Sequence, residues 1–139
     1  AARPFVGAVS VGIAEAAFRA CTEYAKVRVQ FDKPIASFQM VQAMIADMAM
    51  KVEGARLLVQ RACWMKDQGM DFMLSFFARG NYTSDVAMQV TTDAVQVMGG
   101  YGYIKEYPVE KYMRDAKIMQ IYEGTNQIQR LVIANKTLY

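Results

Sequence analysis

The chain has 139 residues, 54% of them hydrophobic, and a net charge of +3. That is enough for one domain with a core of its own and too little for two. The positive charge is spread along the chain without a basic tail or stripe, so nucleic acid is a poor default partner. With no histidine anywhere, a His-based triad or a His-ligated zinc site is excluded, and no metal is expected. Cys21 and Cys63 sit inside helical patterns rather than at a disulfide or metal spacing. No signal peptide or uninterrupted apolar span is visible, which points to a reducing, soluble compartment. The chain starts Ala1-Ala2-Arg3-Pro4, without an initiator methionine, and periodicity begins almost at once. It reads as a piece of a larger protein.

Four long or medium helical segments are predicted, and no strand alternation. The first runs from about Pro4, a favourable first-turn proline, to about Arg28. Gly7 and Gly12 with Ala8, Ala14, Ala16 and Ala17 give it a small-residue face. Asp32-Lys33-Pro34 then breaks the pattern. The second segment, roughly 36 to 68, places Phe38, Val41, Ile45, Met48, Val52, Ala55, Val59 and Ala62 at spacings of three and four, on one stripe. Ser37 is its expected cap, and Gly69 ends it. The third, roughly 71 to 98, repeats the device with Phe76, Gly80, Thr83, Ala87, Val90, Ala94 and Val97, and Gly99-Gly100-Tyr101-Gly102 stops it. Pro108 opens a short helix through about Ala116, and the last helix runs from about Thr125 to the end. Long antiparallel helices joined by short turns give an all-α, up-down four-helix bundle with an additional short helix before the last one. The methionines lie mostly within these helices and read as core filler.

Glu123 stands between the aliphatic-aromatic pair Ile121-Tyr122 and the Gly124-Thr125 step that starts the last helix. Burial beside Ile121 and Tyr122 would raise its pKa, while the positive end of a helix dipole would lower it. That combination suits a base working near neutral pH; a capping or solvated carboxylate has the same sequence context. Arg28-Val29-Gln30-Phe31 follow the first helix, and Phe38-Gln39 open the second. A guanidinium at that point either complements the helix dipole or grips a pyrophosphate. Gln96-Val97-Met98-Gly99-Gly100 lies at a helix C-terminus, whereas dipole-using phosphate loops open a helix, so it fails as a dinucleotide fingerprint. Its glycines cap the helix or admit a ligand close to the backbone. Arg3 opposes the dipole of the first helix and asks for an anionic partner, either Glu123 or a ligand, unless the terminus is frayed. Residue chemistry alone therefore yields a helical bundle with one conspicuous carboxylate, and no reaction.

The run from Tyr107-Pro108-Val109-Glu110-Lys111 through Arg114-Asp115-Ala116-Lys117 to Ile121-Tyr122-Glu123-Gly124-Thr125-Asn126-Gln127-Ile128-Gln129-Arg130 resembles the C-terminal signature of the acyl-CoA dehydrogenases, and is similar to the short-chain, medium-chain and butyryl-CoA members. Ala2-Arg3-Pro4, Arg28 to Pro34, and Asp93 to Gly102 follow the order of that family. The resemblance implies the C-terminal all-helical domain of a flavoenzyme that also has an N-terminal helical and a middle β-domain. It implies that Glu123 removes the α-proton of an acyl-CoA thioester while a hydride leaves the β-carbon for N5 of FAD, giving a trans-2-enoyl-CoA. The thioester carbonyl would be polarised by a flavin ribityl hydroxyl and by the N–H of Glu123. A minority branch carries the base just before the Arg of the first helix. That position is Ala2 here, which agrees with Glu123 as the base.

By the same resemblance, Arg3, Tyr122 and Gly124 contact substrate, and Arg28, Val29, Gln30, Phe38 and Gln39 contact FAD. Gln96, Val97, Met98, Gly99 and Gly100 meet the adenine-diphosphate part of FAD in a neighbouring subunit. Thr125, Asn126 and Gln127 lie near the flavin phosphates. A cofactor shared in this way implies a homo-oligomer, a dimer of dimers, with electron-transfer flavoprotein as the redox partner and no membrane insertion. The expected location is the cytoplasm of a bacterium or the mitochondrial matrix of a eukaryote. Gly80, where relatives often carry Lys, and the aromatic pair Phe76-Phe77 leave the acyl chain length open. An acyl-CoA oxidase or another oxygen-using flavoenzyme is the alternative on the same fold, although the Tyr122-Glu123-Gly124-Thr125 motif speaks against a monooxygenase. The non-enzymatic alternative is an oligomerisation bundle, and the 139 residues by themselves are expected to be inactive.

Overall fold

The computed structural model describes residues 3–70 and 81–139, with side chains from Phe5 onward. Helix α1 spans Arg3–Val27. Its buried positions Ser10, Ala14, Ala17, Cys21 and Ala25 recur at three or four residues and so form one stripe. All five are smaller than valine and carry no long side chain, which lets neighbouring helices approach closely. Gly12 and Ala8, expected on this small-residue face, point outward instead. The expectation of no long apolar span also needs correction. Phe5–Val27 is long and apolar enough to cross a membrane by length and composition. Within the bundle its Ala14, Ala17, Cys21 and Ala25 face is fully buried against protein, while Phe5 and Val27 at its ends are exposed.

The break at 32–34 is a tight hairpin rather than plain coil. Strands β1 (Val29–Gln30) and β2 (Lys33–Pro34) pair antiparallel, with Val29 opposite Pro34 and Gln30 opposite Lys33. Phe31 and Asp32 between them have φ of 51° and 64°, the two left-handed central residues of a turn whose twist suits a hairpin. A 3-10 turn over Ile35–Ser37 follows. Ser37 does not cap the next helix as expected. Its hydroxyl donates to the Pro34 carbonyl at 2.7 Å, and the cap position is Phe38, without a side-chain hydrogen bond.

Helix α2 (Gln39–Asp67) buries Met48, Val52, Ala55, Val59 and Ala62, the later part of the predicted stripe, while Phe38, Val41 and Ile45 are only half-buried. The chain turns away at Gly69 with φ of 66°. Helix α3 (Tyr82–Met98) is the central element. Its buried set includes Thr83, Ala87, Val90, Ala94 and Val97, as predicted, and also Ser84, Val86, Thr91 and Met98. Burial on more than one face follows from its position, packed against α1, α2 and α5. The predicted start of this helix, with Phe76, Phe77 and Gly80, lies outside the described residues. Gly99 turns the chain with φ of 61°, but the helical backbone resumes for one turn in α4 (Gly100–Tyr103). Gly102 makes that possible: a Cβ there would stand 2.6 Å from the Val95 carbonyl oxygen.

Helix α5 spans Val109–Met119, one turn longer than expected, and α6 spans Asn126–Leu138. The architecture is an all-α bundle. Helices α1, α2, α3 and α5 surround the core, while α6 attaches beside the N-terminal half of α3. That attachment is largely polar. Asn126 meets Ser84, and Arg130 reaches Asp85 at 2.8 Å. On the outer surface Arg56 joins Glu15 of α1, at 3.0 Å, to Glu53 of its own helix.

Candidate active site

Two helix ends meet at Glu123. The end of α5 winds down through Gln120 N–H to Lys117 O, Ile121 N–H to Ile118 O and Tyr122 N–H to Ile118 O, at 3.0–3.2 Å. Glu123 (φ 57°) and Gly124 (φ 93°) then turn the chain through the left-handed region. Thr125 caps α6 by accepting from the Ile128 N–H at 3.4 Å. Glycine occupies that region freely, whereas Glu123 does so at a steric cost of about 1–2 kcal/mol. The Asn126 N–H closes the loop onto the Gln120 carbonyl at 3.1 Å.

The surroundings of Glu123 differ from the expectation in two ways. Its side chain is exposed, and Ile121 and Tyr122 beside it are also exposed, so this chain by itself does not bury the carboxylate. The dipole of α6 is also not alone, because the negative end of α5 stands next to it. Tyr122 leans back on the end of α5, its hydroxyl 3.2 Å from the Met119 sulfur. Among the described residues, none accepts a hydrogen bond from the Glu123 N–H. Arg3 is the first residue of α1, but its side chain lies outside the described residues, so its pairing with Glu123 does too.

Thr125, Asn126 and Gln127 border a small recess of about 290 Å³ with Asp85, Lys117, Gln120 and Arg130. Asn126 does not face it as a free donor. Its amide donates to Ser84 Oγ at 2.9 Å and to Asp85 Oδ1 at 2.7 Å, and its oxygen accepts from Ser84 Oγ at 3.2 Å. Its backbone N–H is engaged as well. The Asn126 side chain thus anchors the turn, and Thr125 and Gln127 are the neighbouring polar groups of the motif at the recess.

A second, larger cavity of about 510 Å³ opens between the end of α1, the hairpin and the end of α3. Arg28, Gln30, Val97, Met98, Gly99 and Gly100 all line it, so two groups far apart in sequence converge. The Arg28 guanidinium lies 5.2 Å from the centre of the Tyr101 ring, within range of a cation–π contact. Tyr24, Tyr101 and Tyr107 form a cluster with ring centres 5.5–6.4 Å apart. Partial burial raises the Tyr24 phenol pKa, against the pull of Arg28. Among the described residues Arg28 has no carboxylate partner.

Val29, Phe38, Gln39 and Gln96 are not among the residues lining this cavity. Val29, Gln39 and Gln96 are exposed. Phe38 packs edge-on against Phe31 at 6.2 Å, with the Lys33 ammonium 4.4 Å from its ring centre. Residues the sequence reading missed complete the cavity: Tyr24, Ile35, Tyr101 and Ile104. Tyr24 precedes Arg28 by one helical turn, and Tyr101 interrupts a glycine run, so both carried a local signal.

The cavity and the Glu123 turn lie at opposite ends of α3. Asp85, near its start, bonds to Gln120 and Asn126 on either side of Glu123, while Val97 and Met98, at its end, line the cavity. Twelve residues of helix separate them, about 18 Å at 1.5 Å per residue.

The all-α bundle thus carries a strained carboxylate turn at one end of α3 and a cationic, aromatic cleft at the other. Residues 1–138 match the family described as acyl-CoA dehydrogenase, C-terminal domain. The chain is 54% identical over 138 residues to the probable acyl-CoA dehydrogenase FadE25 of Mycobacterium tuberculosis, covering 98% of this chain and 35% of that protein. It superposes on butyryl-CoA dehydrogenase from Megasphaera elsdenii with a TM-score of 0.96 and 51% identity, covering 99% of this chain and 36% of that one. A chain in a structure described as the electron transferring flavoprotein of Acidaminococcus fermentans matches with a TM-score of 0.95 and 51% identity, over 98% of this chain and 36% of that one. This chain belongs to the acyl-CoA dehydrogenase family, and it spans 35% of the length of the FadE25 relative it matches.

Proposed function

We propose that this chain is the base-bearing domain of an FAD-dependent acyl-CoA dehydrogenase that oxidises an acyl-CoA thioester to the trans-2-enoyl-CoA. The observation that carries the reading is Glu123 itself, an outward carboxylate in left-handed backbone on a turn anchored by Asn126. A side chain held in costly backbone on a rigid scaffold fits a functional constraint. Glu123 takes the α-proton onto a carboxylate oxygen. The α-carbon electron pair becomes the second bond of the alkene as the β-hydrogen departs with its own pair. Bound FAD supplies the acceptor for that hydride. The Glu123 N–H donates to the thioester oxygen, where negative charge builds as the proton leaves. Gly124 keeps the backbone beside the thioester free of a side chain, and Tyr122 and Arg3 complete the substrate side.

The distal cleft fits the adenine-diphosphate end of FAD. Arg28 provides a cation without a carboxylate partner, Tyr24 and Tyr101 provide ring faces, and Gly99 and Gly100 have open space around them. Gln30, Val97 and Met98 line the same cleft, while Val29, Phe38, Gln39 and Gln96 lie outside its lining. Thr125 and Gln127 are the groups offered to phosphate oxygens near the base. By its resemblance to the family, the cleft takes a cofactor reaching in from a neighbouring subunit, and hence a homo-oligomer, a dimer of dimers, is proposed. Met50, Leu57 and Trp64, exposed at seven-residue spacing on α2, support the same conclusion. Electron-transfer flavoprotein is the proposed electron acceptor, and the bacterial cytoplasm or mitochondrial matrix the proposed location.

The test is an anaerobic titration of the flavin absorbance of the full-length parent with acyl-CoAs of varied length and branching. Bleaching by one class names the substrate. Reoxidation by electron-transfer flavoprotein but not by oxygen supports the dehydrogenase, and rapid reoxidation by oxygen supports an oxidase. Near-normal turnover by Glu123→Gln would remove the base from this reading.

A further inference from the structure

Gln129 is 6% exposed, yet among the described residues its side chain makes one hydrogen bond: Nε2 donates to the Glu123 carbonyl oxygen at 3.3 Å. Its Oε1 is buried and finds no donor among the described residues. A buried, half-satisfied amide is less stable than an apolar side chain of the same shape, so packing alone gives no reason for glutamine here. The one contact it makes falls on the least relaxed peptide of the turn, between Glu123 at φ 57° and Gly124 at φ 93°. Backbone of this kind persists only where its surroundings hold it. A trans peptide points its carbonyl and its N–H in opposite directions. With the Glu123 oxygen tethered inward, the peptide plane is fixed, and with it the direction in which the Glu123 side chain leaves the turn. Gln129 also fills the space beside Gly124, where an added Cβ would lie 2.7 Å from Nε2.

We infer that Gln129 is the positioning residue of the Glu123 carboxylate, holding the Glu123–Gly124 peptide in the orientation that aims the base at the substrate without touching substrate itself. The inference rests on Glu123 being the α-proton base. Its test uses the flavin-loaded full-length parent with Gln129→Met, which keeps length and volume and removes the donor, beside Glu123→Gln. Misplacement of a reacting group by about 1 Å costs roughly a hundredfold in rate. For Gln129→Met we therefore expect kcat to fall about tenfold to a hundredfold. KM for the acyl-CoA and flavin content stay unchanged, Tm is unchanged or higher, and the isotope effect on flavin reduction by α-deuterated substrate grows. Unchanged kcat overturns the inference, as does a loss of kcat accompanied by loss of Tm and flavin, which marks a structural role only. Near-normal turnover of Glu123→Gln removes the underlying reading and the inference with it. An inactive Glu123→Gln beside a fully active Gln129→Met defeats the inference alone.

Discussion

Asn126 and Ser84, 42 residues apart, hold each other through hydrogen bonds of 2.9 and 3.2 Å in a site closed to solvent. This pair moors the first turn of α6 to the central helix α3, and so fixes the turn that carries Glu123. Side chains that carry chemistry work best when their backbone is held by such supporting contacts.

Asn126→Ala removes a buried donor from both Ser84 and Asp85. Leaving buried polar groups short of a partner costs about 1–3 kcal/mol. Urea denaturation followed by circular dichroism should show that loss, with the midpoint lowered and the slope unchanged. An unaltered midpoint would show that the pair contributes nothing to the mooring.

Gly124→Ala places a Cβ against Gln129 Nε2 and puts an L side chain at φ 93°. The backbone term alone costs about 1–2 kcal/mol. In the full-length parent, turnover should fall by about tenfold or more as the base is displaced, with less effect on flavin content. Steady-state kinetics at saturating acyl-CoA measure this directly, and wild-type turnover would contradict the close packing of the turn.

Arg28→Met deletes the guanidinium of the distal cleft. A hydrogen bond to a charged group contributes about 1.5–3 kcal/mol, so FAD should bind about ten- to a hundredfold more weakly to the parent. Flavin fluorescence on dilution gives the affinity. The same affinity in wild type and variant would remove the diphosphate from this cleft.

Burial pushes the Cys21 thiol up to about 11, whereas Cys63 is exposed. A thiol reagent should therefore modify one cysteine quickly and the other only on unfolding. The linkage has a definite sign. A raised folded pKa on an acid favours the neutral form, so the unfolded state loses its proton first and stability falls as pH rises from about 9 towards 11. Thermal melts across that window should slope downward, and Cys21→Ala should flatten the slope. An equal slope in the variant would assign the pH dependence to other groups.

The helices were legible in the sequence because their signals are local. The stripe from Met48 to Ala62 and the stripe from Thr83 to Val97 both bury as their spacing predicts. Ser37 misled because a serine before a helix can turn its hydroxyl back to the preceding carbonyl, and here it bonds to Pro34. The anchoring role of Asn126 had no such local signal: only the packing of α6 on α3 shows its side chain turned inward to Ser84 and Asp85.

The sequence by itself determined where the helices run, that they form an all-α bundle, and that Glu123 sits just before the step that starts the last one. Periodicity, prolines and glycines act within a few residues, and these features need nothing more. The tertiary structure alone decided that Arg28 and Gly99 share a cleft, that Asn126 anchors the turn, and that Gln129 tethers the Glu123 carbonyl. The first two depend on how helix faces pair in space, between residues more than 40 apart in sequence; the third spans six residues and depends on a side chain folding back onto its own turn. No local pattern records that choice.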